Sequence, residues 1–129
     1  MTREARRKQI TALVQPRLAA DEELLGTSVV WAARVGRTPL VFTGRHRYLL
    51  ALTGRRLYVF ERRNRRNREA EPVLAKSIDN LVIERTRALP IFQVLLRVSD
   101  ERRLVLEFRR RDRATGRALA RLVSATPQP

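Results

Sequence analysis

Between Leu24 and Arg109 the apolar residues return at every second position, and turn-forming residues interrupt them at spacings of roughly ten residues. Side chains of a strand alternate between two faces, so this period demands sheet. Strands are predicted at about 27–35, 46–53, 56–63, 73–78, 81–86, 92–99 and 103–109. Seven short strands in one chain of 129 residues predict a single mainly β domain, a sandwich or a barrel. The stretch "SDERR" at 99–103 is the turn between the last two strands.

The strongest local signal is "YLLALTGRRLYVFERR" at 48–63. Two apolar runs flank Thr53–Gly54–Arg55–Arg56, which suits a two-residue hairpin turn of type II′ with Gly54 first. That turn sets Leu52 opposite Leu57 and Leu50 opposite Val59 on the core face. Leu49, Ala51, Tyr58 and Phe60 then share the other face. That face is apolar too and needs a cover: the N-terminal helix or a second copy of the chain.

Period 3.6 holds at both ends. Residues 2–20 predict a helix with Ile10, Leu13 and Val14 on one face, kinked or restarted at Pro16. From Asp112, an expected cap, Thr115, Ala118, Leu119, Leu122 and Val123 form a second apolar stripe that Gly116 weakens. The division expected is an N-terminal helical extension, 1–20, and a β domain, 21–126.

Charge supplies the functional signal. The formal net charge is +15, from 28 Lys and Arg against 13 Asp and Glu, and only Lys8 and Lys76 are lysine. Such an excess suits a polyanionic partner: anionic lipid, an acidic protein or nucleic acid. Solubility alone is the plain alternative. The chain has no cysteine and a single histidine, His46, with no neighbouring carboxylate, which leaves little for nucleophilic or metal chemistry. No catalysis and no cofactor are therefore expected. No apolar run approaches the roughly 20 residues of a membrane-spanning helix, and no secretory signal is apparent. A cytoplasmic protein, peripheral at the membrane, is the expectation.

The order of these features resembles the bacterial pleckstrin-homology-like (PH-like) domains. In that family a hydrophobic–Thr–x–x–Arg–Leu–hydrophobic run marks the hairpin of strands two and three; here it is Leu52 to Tyr58. "LAADEELLGTSVVWAA" resembles the family's lead-in to strand one, and "AKSIDNLVIE" its passage from strand four to five. The resemblance spans about residues 18–124. It implies two roughly orthogonal antiparallel sheets of seven strands closed by a C-terminal helix, with the N-terminal helix as an addition. It also implies an open end where loops 36–45, 64–72 and 99–102 gather.

On that fold Arg34, Arg45 and Arg47 resemble the basic motif of lipid-binding pleckstrin-homology domains. Guanidinium forks suit phosphate because they pair with two oxygens at once. Arg63, Arg65 and Arg66, within "RRNRRNR", extend the same expected anion site. Leu40, Val41 and Phe42 either form an apolar loop tip or continue a strand. Arg109 to Arg113 place cations where a helix begins, which is electrostatically unfavourable and suits an external anion or plain helix surface. The leading expectation is a non-catalytic module that binds acidic phospholipid headgroups or another anionic surface. A self-associating or partner-binding scaffold using Leu49, Tyr58 and Phe60 comes second. Nucleic acid ranks third, because no aromatic residues interleave the basic loop for base stacking.

Overall fold

The computed structural model describes residues 2–35, 42–64, 67, 69–88 and 91–125. The N-terminal helix α1 spans Arg3–Val14, with the Thr2 hydroxyl capping Ala5 N. Pro16 ends it in a 3₁₀ turn, Gln15–Arg17, because proline has no N–H to continue the ladder. Seven strands follow: β1 (Leu24–Val35), β2 (Phe42–Thr53), β3 (Arg56–Glu61), β4 (Leu74–Ser77), β5 (Val82–Arg87), β6 (Phe92–Arg97) and β7 (Arg103–Phe108). Helix α2, Arg113–Ala125, closes the chain. The strands form one antiparallel sheet in the order β4-β3-β2-β1-β7-β6-β5, so the long β1 joins two halves of a curled half-barrel.

The hairpin register matches the sequence expectation, with Leu50 opposite Val59 and Leu52 opposite Leu57. The turn chemistry does not. Gly54 lacks the left-handed backbone that a type II′ turn puts at its first central residue. Thr53 does the work instead: its hydroxyl oxygen accepts from Arg55 N at 3.1 Å and Arg56 N at 2.9 Å. That hydroxyl donates to Glu22, whose other carboxylate oxygen accepts from Ala19 N at 3.1 Å. Glu22, within the acidic "DEE" segment, thus ties the chain that follows α1 and its 3₁₀ turn to the hairpin.

The sheet buries both faces. The concave face carries Leu50, Leu52, Leu57, Val59, Val94, Leu96 and Leu106, and α2 closes it with Leu119 and Val123. Gly116 is necessary to that closure rather than a weakness. A Cβ there would sit 2.7 Å from the Phe92 ring and 2.9 Å from Phe108, so only glycine lets the helix descend onto these rings. Asp112, the expected cap, closes a 3₁₀ turn, Arg110–Asp112, directly before α2, with its N–H on the Arg109 carbonyl at 2.8 Å.

The convex face forms a second core: Ile10, Leu13 and Val14 of α1 cover Leu49, Ala51, Tyr58 and Phe60. Arg17 fastens the helix end. It donates to the carbonyls of Leu13 and Ala70, and its guanidinium lies 5.5 Å from the Phe60 ring centre. Leu49, Tyr58 and Phe60, expected on an interaction surface, are thus buried, Phe60 completely. The reason is the intramolecular cover: α1 occupies the face that an outside partner would need.

Candidate anion-binding site

Arg47 is the expected site residue whose surroundings are most informative. It sits on β2 two residues before Leu49, so alternation sets it on the convex face, beyond the rim of α1. Trp31 pairs with it across β1, and the Arg47 guanidinium stacks 4.8 Å from the Trp31 ring centre. This cation–π stack fixes the direction of a side chain that is otherwise long and mobile. Arg47 Nε is enclosed, with no hydrogen-bond partner among the described residues, although the side chain as a whole is only half-buried.

Three more arginines, from separate elements, place their charges in the field of Arg47. Arg6 comes from α1, Arg62 from the 3₁₀ turn after β3, and Arg109 from the end of β7. Desolvation lowers the Arg47 pKa, and the charges of Arg109, Arg62 and Arg6 lower it further. Arginine stays protonated at neutral pH regardless. The physical content is repulsion: four like charges are held together by the fold. Glu107, which pairs with Trp31 from β7, sets one carboxylate on the same face. The cluster keeps a surplus of positive charge that suits an anion of several oxygens.

The other expected residues fare differently. Arg63 pairs with Glu61 while remaining largely exposed, so part of its charge is already answered. Arg34 lies in β1 opposite Thr43, and Arg45 lies in a bulge of β2 where Gly44 and Arg45 face only Ala33. Their side chains, and Arg65, Arg66, Leu40 and Val41 altogether, lie outside the described residues. Near this end of the sheet the concave face holds a hollow of about 310 Å³, walled by Tyr48, Val59, Leu74 and Leu104 with His46 and Arg102 among its polar lining. Arg55 at the opposite end of the hairpin is paired with Asp21, and its carbonyl accepts from Ile78 N at 2.8 Å. The two arginine pairs of the hairpin, Arg55–Arg56 and Arg62–Arg63, therefore belong to different regions.

Sequence reasoning missed Arg6 and Arg62 as partners of Arg47. The available signal was the alternation from Leu49 back to Arg47, which puts Arg47 on the face that α1 covers. The run from Arg109 was noticed but could not be placed beside Arg47 without the pairing of β1 with β7. Elsewhere Glu84 accepts a two-pronged bond from Arg103 and has Arg97 at 3.9 Å, a structural use of charge. Among the described residues no cluster of His, Asp and Glu could hold a metal ion, and no helix is long and apolar enough to cross a membrane.

This arrangement of strands and capping helix recurs in solved structures. The Vps36 N-terminal PH domain superposes with a TM-score of 0.57 at 17% identity over 83% of each chain. The fold is pleckstrin-homology-like. The DH/PH domains of p115-RhoGEF give 0.53 at 13% identity, and those of PDZ-RhoGEF, in complex with activated RhoA, give 0.52 at 12%. These cover 97% and 96% of the chain but only 42% and 39% of the RhoGEF chains, so the present chain spans about two-fifths of their length. No protein-family description matches the sequence. No curated protein matches it either. Within the PH-like fold, Arg47 lies on the convex side of β2, Arg6 on α1, and Arg62 and Arg109 directly after β3 and β7.

Proposed function

We propose that the chain is a non-catalytic PH-like binding module that docks on an anionic surface, with acidic phospholipid headgroups at the cytoplasmic membrane face as its target. The observation that carries this reading is the Arg47 guanidinium stacked on Trp31, its Nε without a hydrogen-bond partner among the described residues, in the repulsive field of Arg109, Arg62 and Arg6. Holding like charges together costs stability, and an apposed anion offsets that cost. Arg34, Arg45, Arg65 and Arg66 belong to the same proposal as further phosphate contacts. Self-association through Leu49, Tyr58 and Phe60 would require α1 to leave the sheet, so the observed packing favours the anionic-surface reading.

The test uses Trp31, the only tryptophan, as an internal probe beside the cluster. Vesicles containing acidic phospholipid should sediment the protein and shift Trp31 emission, and neutral vesicles should do neither. Arg62→Glu/Arg109→Glu, two exposed positions, should abolish both signals. Equal binding to neutral vesicles, or binding untouched by the charge reversal, overturns the proposal.

A further inference from the structure

Arg6 also lines a cleft of about 560 Å³, within the size range of ligand sites. One wall is α1 with Arg3, Arg6 and Arg7; the facing wall is the turn before α2, with Arg111 and Asp112. The floor is the first part of β1, Leu24 to Thr27. This stretch has a property that the rest of β1 lacks. Strand β7 pairs with β1 only from Val30 onward, so residues 24–29 pair with β2 alone. Among the described residues no backbone–backbone bond joins residues 24–29 to any element other than β2. Leu25 also falls in a break of the β2 register and is 49% exposed.

An unpaired strand edge is a template for another strand. The walls around it say which chemistry fits. The guanidinium groups of Arg7 and Arg111 have no hydrogen bond or ion pair among the described residues, and Arg3 uses one nitrogen on the Arg111 carbonyl. Two carboxylates share the cleft: Glu4, exposed and 4.0 Å from Lys8, and Asp112, which sits in the field of Arg6 and Arg3, so arginine outnumbers carboxylate along the lining. From these features we infer that the cleft receives an extended acidic segment of a partner protein, which adds as a short strand along Leu24–Thr27. Alternate carboxylates of the segment lie between the two arginine walls, and an apolar side chain covers Leu25.

The experiment measures fluorescence anisotropy of a labelled peptide alternating Glu and Val, near physiological salt, against a peptide alternating Glu and Pro. The charge is equal, but proline cannot donate to a strand edge. The Glu–Val peptide should bind about tenfold or more tightly than the Glu–Pro peptide. Arg3→Glu/Arg7→Glu, and independently Arg111→Gln, should weaken it, whereas Arg62→Glu/Arg109→Glu should leave it within about twofold. Amide hydrogen exchange should slow at residues 24–27 when the peptide is added. Equal binding of the two peptides reduces the effect to bulk charge and overturns the inference. So does absence of binding, absence of protection at 24–27, or an equal loss in Arg62→Glu/Arg109→Glu. Loss of vesicle binding in Arg3→Glu/Arg7→Glu without loss of peptide binding reassigns the cleft to the membrane.

Discussion

Thr53 shows how much one side chain can organise. Its hydroxyl oxygen takes two backbone N–H groups of the turn, and its proton goes to Glu22. Thr53 is wholly buried and Glu22 nearly so. Thr53→Val keeps the shape and removes every one of these bonds, leaving the buried Glu22 carboxylate with only its bond from Ala19 N. The expected loss is about 2–4 kcal/mol, since an unsatisfied buried group costs ~1–3 kcal/mol and a charged one more. Urea unfolding measures it; a loss below ~0.5 kcal/mol would show that the turn stands without the hydroxyl. Asp112 offers a pH test at the same scale. Desolvation raises its pKa, against the opposing charges of Arg6 and Arg3, the hydrogen bond from Ser28, and Arg109. A raised folded-state pKa means the native state holds the proton more tightly than the unfolded chain. The resulting stability is complete below the ordinary carboxylate pKa and is lost as pH rises through the folded value. Asp112→Asn should therefore flatten the decline across that acid window without lowering stability at neutral pH. A profile that keeps the wild-type slope would contradict the assignment.

At the level of elements, what could be read from the sequence depended on whether it was local. Register and alternation were legible because a two-residue connection and a period of two leave little freedom. The second apolar face of the hairpin was legible for the same reason, along with its need for a cover. Which element supplies the cover was not, because α1 and Phe60 are separated by half the domain and meet only through tertiary packing. Gly116 was misread for a related reason: helix propensity is local, whereas the approach of α2 to Phe92 and Phe108 is not. Gly116→Ala raises propensity but drives a methyl into two rings, and overpacking of this kind costs about 1–3 kcal/mol. Thermal unfolding should show a net loss; a gain would mean the rings yield freely. Leu13→Ala at the α1 seam should cost about 2–5 kcal/mol. Its unfolding should stay a single transition if the two cores are one cooperative unit, and split if α1 releases first.

For the whole molecule, the difficulty is that a net charge of +15 attracts any anionic surface. A basic protein therefore proves little by sticking to acidic vesicles at low salt. Geometry makes the stronger demand. If the patch of Arg6, Arg47, Arg62 and Arg109 is the contact face, equal charge changes elsewhere must matter less. Arg117 and Arg121 are exposed on α2, away from this cluster, and supply the matched control. Each arginine near an anionic membrane contributes about 1 kcal/mol, so reversing two contact residues should cost ~2–4 kcal/mol. That corresponds to a drop in partition of roughly 30-fold or more. Arg117→Glu/Arg121→Glu changes net charge by the same amount at positions that do not contribute to the field at Arg47, so at physiological salt, where screening acts over ~8 Å, its loss should be several-fold smaller. The difference between the two variants should widen as salt rises from low to physiological, because screening removes the long-range share first. Parallel losses across the salt series would assign binding to net charge, and the arginine cluster would lose its claim to be the site.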